Sequence, residues 1–354
     1  MEGIHQYQNY QVAYKLPKII STKALAQKLF IEERSMCFVS GYYLKPYMNN
    51  EVKIIDCSTG GEDAHNAFLA ESIPTSVYLN TSVDLVDGET SYPNGYPTKE
   101  EVIAAMQKLG MTTSDIIILY CQPDKISSMT RVFHILNSYG FSDVTILDGD
   151  IKKFKIDGYP TTPGIDYTGP ESEIKDLADP TPYLSKMDEI VEFALGKRPN
   201  MQLIDMRGEE SFNGHDPNLP EGCRQGHVPG AINISADIFT NEDNTFKKYY
   251  ELLEIFKSHG VNPEKELVCM CKTGMSATVG YMALVFANFS GMKLYDGSWT
   301  EYGANDTPST VAAPSFPMYY QPGMNQAPQY VLVPTNFQYA PIPDQKDHFP
   351  VYQK

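Results

Sequence analysis

The stretch ELVCMCKTGMSATVGYMALVF, residues 266–286, sets a cysteine where its neighbours would make it reactive. Residues 267–270 are an apolar run with a β-branched member and read as a buried strand. A turn containing Gly274 follows, after which Ala277, Tyr281, Leu284 and Val285 recur at helical spacing. Cys271 therefore stands where a strand ends and a tight loop opens into a helix. The N–H groups of such a loop, backed by a helix N-terminus, favour an anion. The same field favours thiolate over thiol, and the thiolate is the nucleophile. Lys272 adds positive charge, and Gly274 supplies a backbone conformation that a Cβ resists. Thr273, Met275 and Ser276 complete a six-residue loop.

The elements that position this loop are legible around it. STKALAQKLF, residues 21–30, is a short amphipathic helix with Ser21 or Thr22 as N-cap. An apolar strand ends at Asp56; Thr98 and Glu101 make a capping box before a helix that stops at Gly110. DIIILYC is a strand ending at Cys121, the helix after it carries Met129, Val132, Phe133 and Leu136, and VTILDGD is a third strand. The second half repeats this order: a helix with Met187, Ile190 and Val191, the strand QLIDMR, the strand ending at Cys271, its helix, and the strand KLYDGSW. Asp56 and Cys121 are 65 residues apart, Asp205 and Cys271 66. One α/β unit is duplicated. Strands alternating with helices predict parallel sheets covered on both faces, with reactive groups at the strands' C-terminal ends.

We divide the chain into an N-terminal extension (1–20), a first domain (21–158), an exposed Pro/Gly/Thr-rich linker (159–184), a second domain (185–305) and a Pro/Tyr/Gln-rich extension (306–354). A chain of 354 residues suits two domains plus tails. The net charge of −16 argues against nucleic-acid binding, and no apolar run is long enough to cross a bilayer. Six cysteines are too few for a disulfide framework and suit a reducing compartment. No Cys or His pattern suggests a metal, and no cofactor is expected. The N-terminal residues lack arginine and an apolar core, so they read neither as a secretory signal nor as a transit peptide.

The segments STKALAQKL, LIDMR, GHVPGAINIS (226–235), CKTGMSA and YDGSWTEY together resemble the tandem-domain rhodanese family, which includes thiosulfate and 3-mercaptopyruvate sulfurtransferases. The resemblance covers about residues 20–305. It implies a first, non-catalytic domain and a second domain in which Cys271 takes a sulfane sulfur as a persulfide and hands it to a thiol or cyanide. It further implies a mitochondrial home, with cytoplasm as the alternative. Asp205 and Arg207 are expected to form a structural ion pair, His227 to brace backbone, and Trp299 to pack in the closing strand and turn.

The chain also departs from the family. Arginines between the LIDMR-like strand and GHVPG hold the donor's anionic group in the family. Here Ser211 and Pro220, or a neighbour of Pro220, stand at those places and Arg224 is the remaining cation. The first-domain histidine of mercaptopyruvate-type enzymes is replaced within Asn94-Gly95-Tyr96-Pro97, with Asp84 and Asp87 as nearby acids. Thr273 stands where those enzymes carry serine, and Lys272 suits a thiosulfate-type loop. Cys121 holds the nucleophile's position in the first domain, but the loop QPDKISS lacks glycine, so we read it as structural. Two readings follow: a sulfurtransferase working through Cys271, or a degenerate rhodanese acting as an accessory subunit whose extension, 306–354, a protein partner holds.

Overall fold

The computed structural model describes residues 18–30, 38–39, 42–43, 52–123 and 126–310. The first domain carries β1 (Ile19–Ile20), α1 (Thr22–Phe30), β2 (Val52–Asp56), α2 (Gly61–Ala70), β3 (Val77–Tyr78), α3 (Lys99–Lys108), β4 (Ile116–Tyr120), α4 (Ile126–Ser138), β5 (Val144–Leu147) and α5 (Ile151–Ile156). The second carries β6 (Leu184–Ser185), α6 (Met187–Ala194), β7 (Met201–Asp205), β8 (Ile232–Asn233), α7 (Tyr249–Ser258), β9 (Glu266–Met270), α8 (Ser276–Phe286), β10 (Met292–Tyr295) and α9 (Ser298–Tyr302).

The two sheets have one topology. The first runs β1-β5-β4-β2-β3 and the second β6-β10-β9-β7-β8, every pair parallel. Cys121 and Cys271 follow the central strands, β4 and β9. All five residues of β4 are buried, as befits a sheet covered on both faces. The capping box at Thr98 and Glu101 is present, and Ser21 Oγ accepts from the Ala24 N–H at 3.2 Å.

Several features differ from the sequence reading. Ile19 and Ile20, placed in the extension, form edge strand β1 on β5; two residues are too few to display a period. The expected strand KLYDGSW stops at Tyr295, and Trp299 lies in α9, which starts from Ser298 at φ +51°. The linker is exposed over much of its length but tied down. Ser72 and Thr162 exchange backbone hydrogen bonds, the Ser172 hydroxyl bonds the Met111 carbonyl, and Ile174 and Leu177 are buried. Residues 306–310 belong to a strap on the second domain, where His227 and Thr310 exchange N–H···O bonds at 2.9 Å. The remainder of that extension, with the partner expected to hold it, lies outside the described residues, as do residues 1–17.

The domains face each other through α4 and α8. Thr130 and Thr278 hydroxyls meet at 2.8 Å, and the His134 ring stands edge-on to Tyr281 with centroids 4.6 Å apart. On either side, the turn after each domain's fifth strand docks on the other domain. Phe246 N–H donates to Asp148 at 2.9 Å and Asn244 Nδ2 to Asp150 at 2.8 Å, while Asp296 receives Arg131. No described helix is long and apolar enough to cross a membrane.

Candidate active site

Cys271 follows β9 and is 2 % exposed. Both of its backbone groups are held by α9: its N–H donates to Ser298 Oγ at 3.1 Å, and its carbonyl accepts from Trp299 N–H at 3.1 Å. The Lys272 carbonyl accepts from Thr300 N–H at 3.0 Å. Farther round the loop, the Gly274 carbonyl takes a long contact from Arg131 Nη1 at 3.4 Å, and the Met275 carbonyl accepts from Thr278 Oγ1 at 2.7 Å. In a trans peptide the C=O and the following N–H point opposite ways. Anchoring the carbonyls of Cys271, Lys272 and Gly274 to donors outside the loop thus turns the N–H groups of Lys272, Thr273 and Met275 away from those donors. Among the described residues, the N–H groups of Lys272 through Met275 have no acceptor. The loop is a row of free donors, an arrangement that stabilises negative charge.

Gly274 has φ +75°, and a Cβ there would lie 2.6 Å from the Asp296 carbonyl. Both conditions require glycine. Asp296 itself is buried and paired with Arg131; burial, with the Asp296 carboxylate adding to it, pushes the Tyr92 phenol above its ordinary pKa.

The cations are engaged. Lys272 Nζ lies 2.7 Å from Asp216 and 3.1 Å from the Asn218 carbonyl. Burial raises the Asp216 carboxyl, but the Lys272 ammonium, the Asn218 N–H and the Ser211 hydroxyl outweigh it and hold the group below its ordinary 3.8. Arg207 forms a buried bidentate pair with Asp205, donates to the Gly226 carbonyl at 2.9 Å and stacks 4.4 Å from the Trp299 ring. Trp299 is fully buried and donates to the Arg224 carbonyl at 2.9 Å. His227 stacks on Phe212 at 3.8 Å with Nδ1 2.8 Å from the Phe212 carbonyl; burial pushes its pKa down. Arg224, expected at the substrate, instead donates to the carbonyls of Tyr302 and Asn305 and to Thr307 Oγ1. Those acceptors lie at the end of α9 and on the strap that follows it, a segment whose docking the sequence does not reveal.

The first-domain loop is arranged differently. The Gln122 N–H, the counterpart of Lys272 N–H, donates to Ser58 Oγ at 2.7 Å, and Gln122 Nε2 donates to Asp56 at 2.8 Å. Ser58 takes Arg207's place and Asp56 that of Asp205. Cys121 is fully buried, and the described cysteines are free of disulfides. Arg131, Ser298 and Asp216 were not singled out from the sequence. Each acts through a partner distant in the chain, which local pattern cannot show. Among the described residues no group of His, Cys, Asp and Glu could hold a metal ion.

A model of the rhodanese-like domain matches residues 41–157 and 192–305. The chain is 30% identical over 274 residues to the 3-mercaptopyruvate sulfurtransferase of Escherichia coli K12, covering 75% of this chain and 95% of that one. It is 25% identical over 292 residues to the mouse 3-mercaptopyruvate sulfurtransferase, covering 81% and 96%. The crystal structure of SseA from Escherichia coli, titled as a 3-mercaptopyruvate sulfotransferase, superposes with TM-score 0.66 at 24% identity over 80% of this chain and 99% of that one. With two copies of the domain, each a parallel sheet in the same strand order, the chain belongs to the rhodanese-like family in its tandem form.

Proposed function

We propose that this chain is a sulfurtransferase that carries a sulfane sulfur on Cys271, with 3-mercaptopyruvate as the preferred donor and a thiol as acceptor. The row of free N–H donors from Lys272 to Met275 beside the Cys271 position carries the reading, and the names of the similar proteins agree with it. The Cys271 thiolate attacks the donor's sulfur: an S–S bond forms, the C–S bond breaks, and its electron pair stays on carbon, which takes a proton to leave pyruvate. An acceptor thiol then attacks the outer sulfur, and Cys271 leaves as thiolate. No oxidant enters. The free loop donors suit the charge that develops on sulfur and on the departing enolate. Thiosulfate, a dianion, is the weaker candidate because Lys272 is already neutralised by Asp216. Mitochondrion is the proposed compartment by resemblance, and imaging of the tagged full chain tests it.

Intact-mass analysis after exposure to each donor, with Cys271→Ser beside it, tests the assignment. A reducible gain of one sulfur from 3-mercaptopyruvate, absent in the variant, is the expected result. No gain from either donor with a free Cys271 thiol would overturn it and favour the accessory-subunit reading, to which the engagement of Arg224 by the strap lends weight.

A further inference from the structure

Arg131 is the feature that the reaction as described does not use. It sits on α4 of the first domain, is 4 % exposed, and reaches the loop of the second. Its Nη1 pairs with Asp296 Oδ1 and lies 3.4 Å from the Gly274 carbonyl. Its Nη2 donates to the Asn94 carbonyl at 2.7 Å, and its guanidinium lies 4.9 Å from the Tyr96 ring centre. One planar fork thus joins three chain segments from two domains, a task that a lysine's single ammonium cannot perform.

The consequence falls on two peptide planes. Holding the Gly274 carbonyl toward Arg131 turns the Met275 N–H the other way, into the row of loop donors. Holding Asp296 fixes the turn that delivers Ser298 Oγ to the Cys271 N–H and Trp299 N–H to the Cys271 carbonyl. Without the fork the Gly274 carbonyl loses this donor, and the Gly274–Met275 peptide and its N–H are held less firmly toward the row of loop donors.

We infer that Arg131 is a positioning residue contributed by the first domain, holding the Gly274–Met275 peptide and the Asp296 turn so that the second domain's cysteine loop keeps its N–H groups directed at the sulfur anion. The inference rests on the proposed Cys271 chemistry for its kinetic readout, but not for its thiol readout.

The experiment uses the full chain with Arg131→Lys and Arg131→Met, beside Asn244→Gly. The last variant removes the Asn244–Asp150 bond across the same pair of domains while tolerating that residue's φ of +62°. Folding is checked by circular dichroism. Two rates are read: alkylation of Cys271 by iodoacetamide at fixed pH, followed on the peptide that carries it, and the single-turnover gain of sulfur from 3-mercaptopyruvate. Arg131→Lys is expected to slow both at least tenfold with donor KM within about twofold, because the loss falls on the transition state. Asn244→Gly is expected to react at the parent rate. Folded Arg131 variants that alkylate at the parent rate would overturn the inference, and so would an equal slowing by Asn244→Gly. If the parent chain takes no sulfur, the sulfurtransferase reading fails while alkylation still decides the role of Arg131. If Arg131→Met unfolds, Arg131→Lys carries the test.

Discussion

Thr75 occupies a backbone conformation that a β-branched residue resists. Its φ is +66°, and the matching turn in the second domain, closed by the Ala231 N–H on the Val228 carbonyl, has Gly230 there at φ +82°. The left-handed region costs an L-residue about 1–2 kcal/mol, offset in part by the greater unfolded-state freedom of glycine. Thr75→Gly should therefore stabilise the chain by about 0.5–1 kcal/mol, and Gly230→Thr should destabilise it by about 1–2 kcal/mol, both read by urea denaturation. Equal stabilities for Thr75→Gly and parent would remove strain from this account. A second residue-scale prediction concerns Lys272. Asp216→Asn leaves the ammonium without its carboxylate, so KM for thiosulfate should fall roughly three- to tenfold, about 1 kcal/mol of charge interaction. KM for 3-mercaptopyruvate should fall less, and steady-state kinetics with both donors decide it. The pairing also has a pH window: because the folded Asp216 value lies below 3.8, its stability contribution is complete above about that pH and lost as acid carries it through the folded value. At this scale the sequence was informative where partners are contiguous, as in Cys271 to Ser276, and silent where they are not. Arg131 and Asp296 are 165 residues apart, and nothing local marks either as the other's partner.

Among the elements, α4 and α8 show what a sequence pattern does and does not disclose. The apolar spacing of Met129, Val132, Phe133 and Leu136 correctly places one face of α4 on its own sheet. Thr130, Arg131, His134 and Ser138 fall between those positions and look like a solvated face. Thr130 and His134 are buried where they meet Thr278 and Tyr281 of α8, and Arg131 and Ser138 where they meet Asn94 and Tyr96 of their own domain, all of it tertiary context. His134 illustrates the cost. Burial, with Arg131 adding to it, pushes its pKa down to about 3, so it stays neutral with Nδ1 2.9 Å from the Tyr96 hydroxyl. The unfolded chain binds a proton on this residue below about 6.5, and the native chain does not until about 3. Stability from this site must therefore fall as pH drops from 6.5 toward 3, approaching about 1.4 kcal/mol per unit within the window. His134→Gln should flatten the difference in unfolding free energy between pH 7 and pH 5 relative to the parent. An unchanged difference would mean that His134 is protonated in the folded chain.

The whole molecule is two copies of one fold locked by reciprocal turns, with the chain's connections wrapped on its surface. The duplication was legible because the spacings from Asp56 to Cys121 and from Asp205 to Cys271 are nearly equal. The wrapping was not, since polar, Pro-rich segments such as 159–184 and 305–310 carry no hydrophobic period whether or not they dock. The strap gives the clearest consequence. Tyr302 Oη donates to the Pro308 carbonyl at 2.5 Å, Arg224 to Thr307, and His227 and Thr310 close a two-bond bridge. Thr307, Ser309 and Thr310 are each at least 92 % buried. Deleting residues 311–354 leaves all of these bonds in place and is the reference for the longer truncation. Deleting residues 305–354 removes them and exposes the Arg224 guanidinium and the Phe212–His227 stack. A few net hydrogen bonds at about 1 kcal/mol each, in a chain of this size, should lower the melting temperature by roughly 3–8 °C. Calorimetry of the two truncations separates the cases: equal melting temperatures would mean that the strap rests on the domain without supporting it.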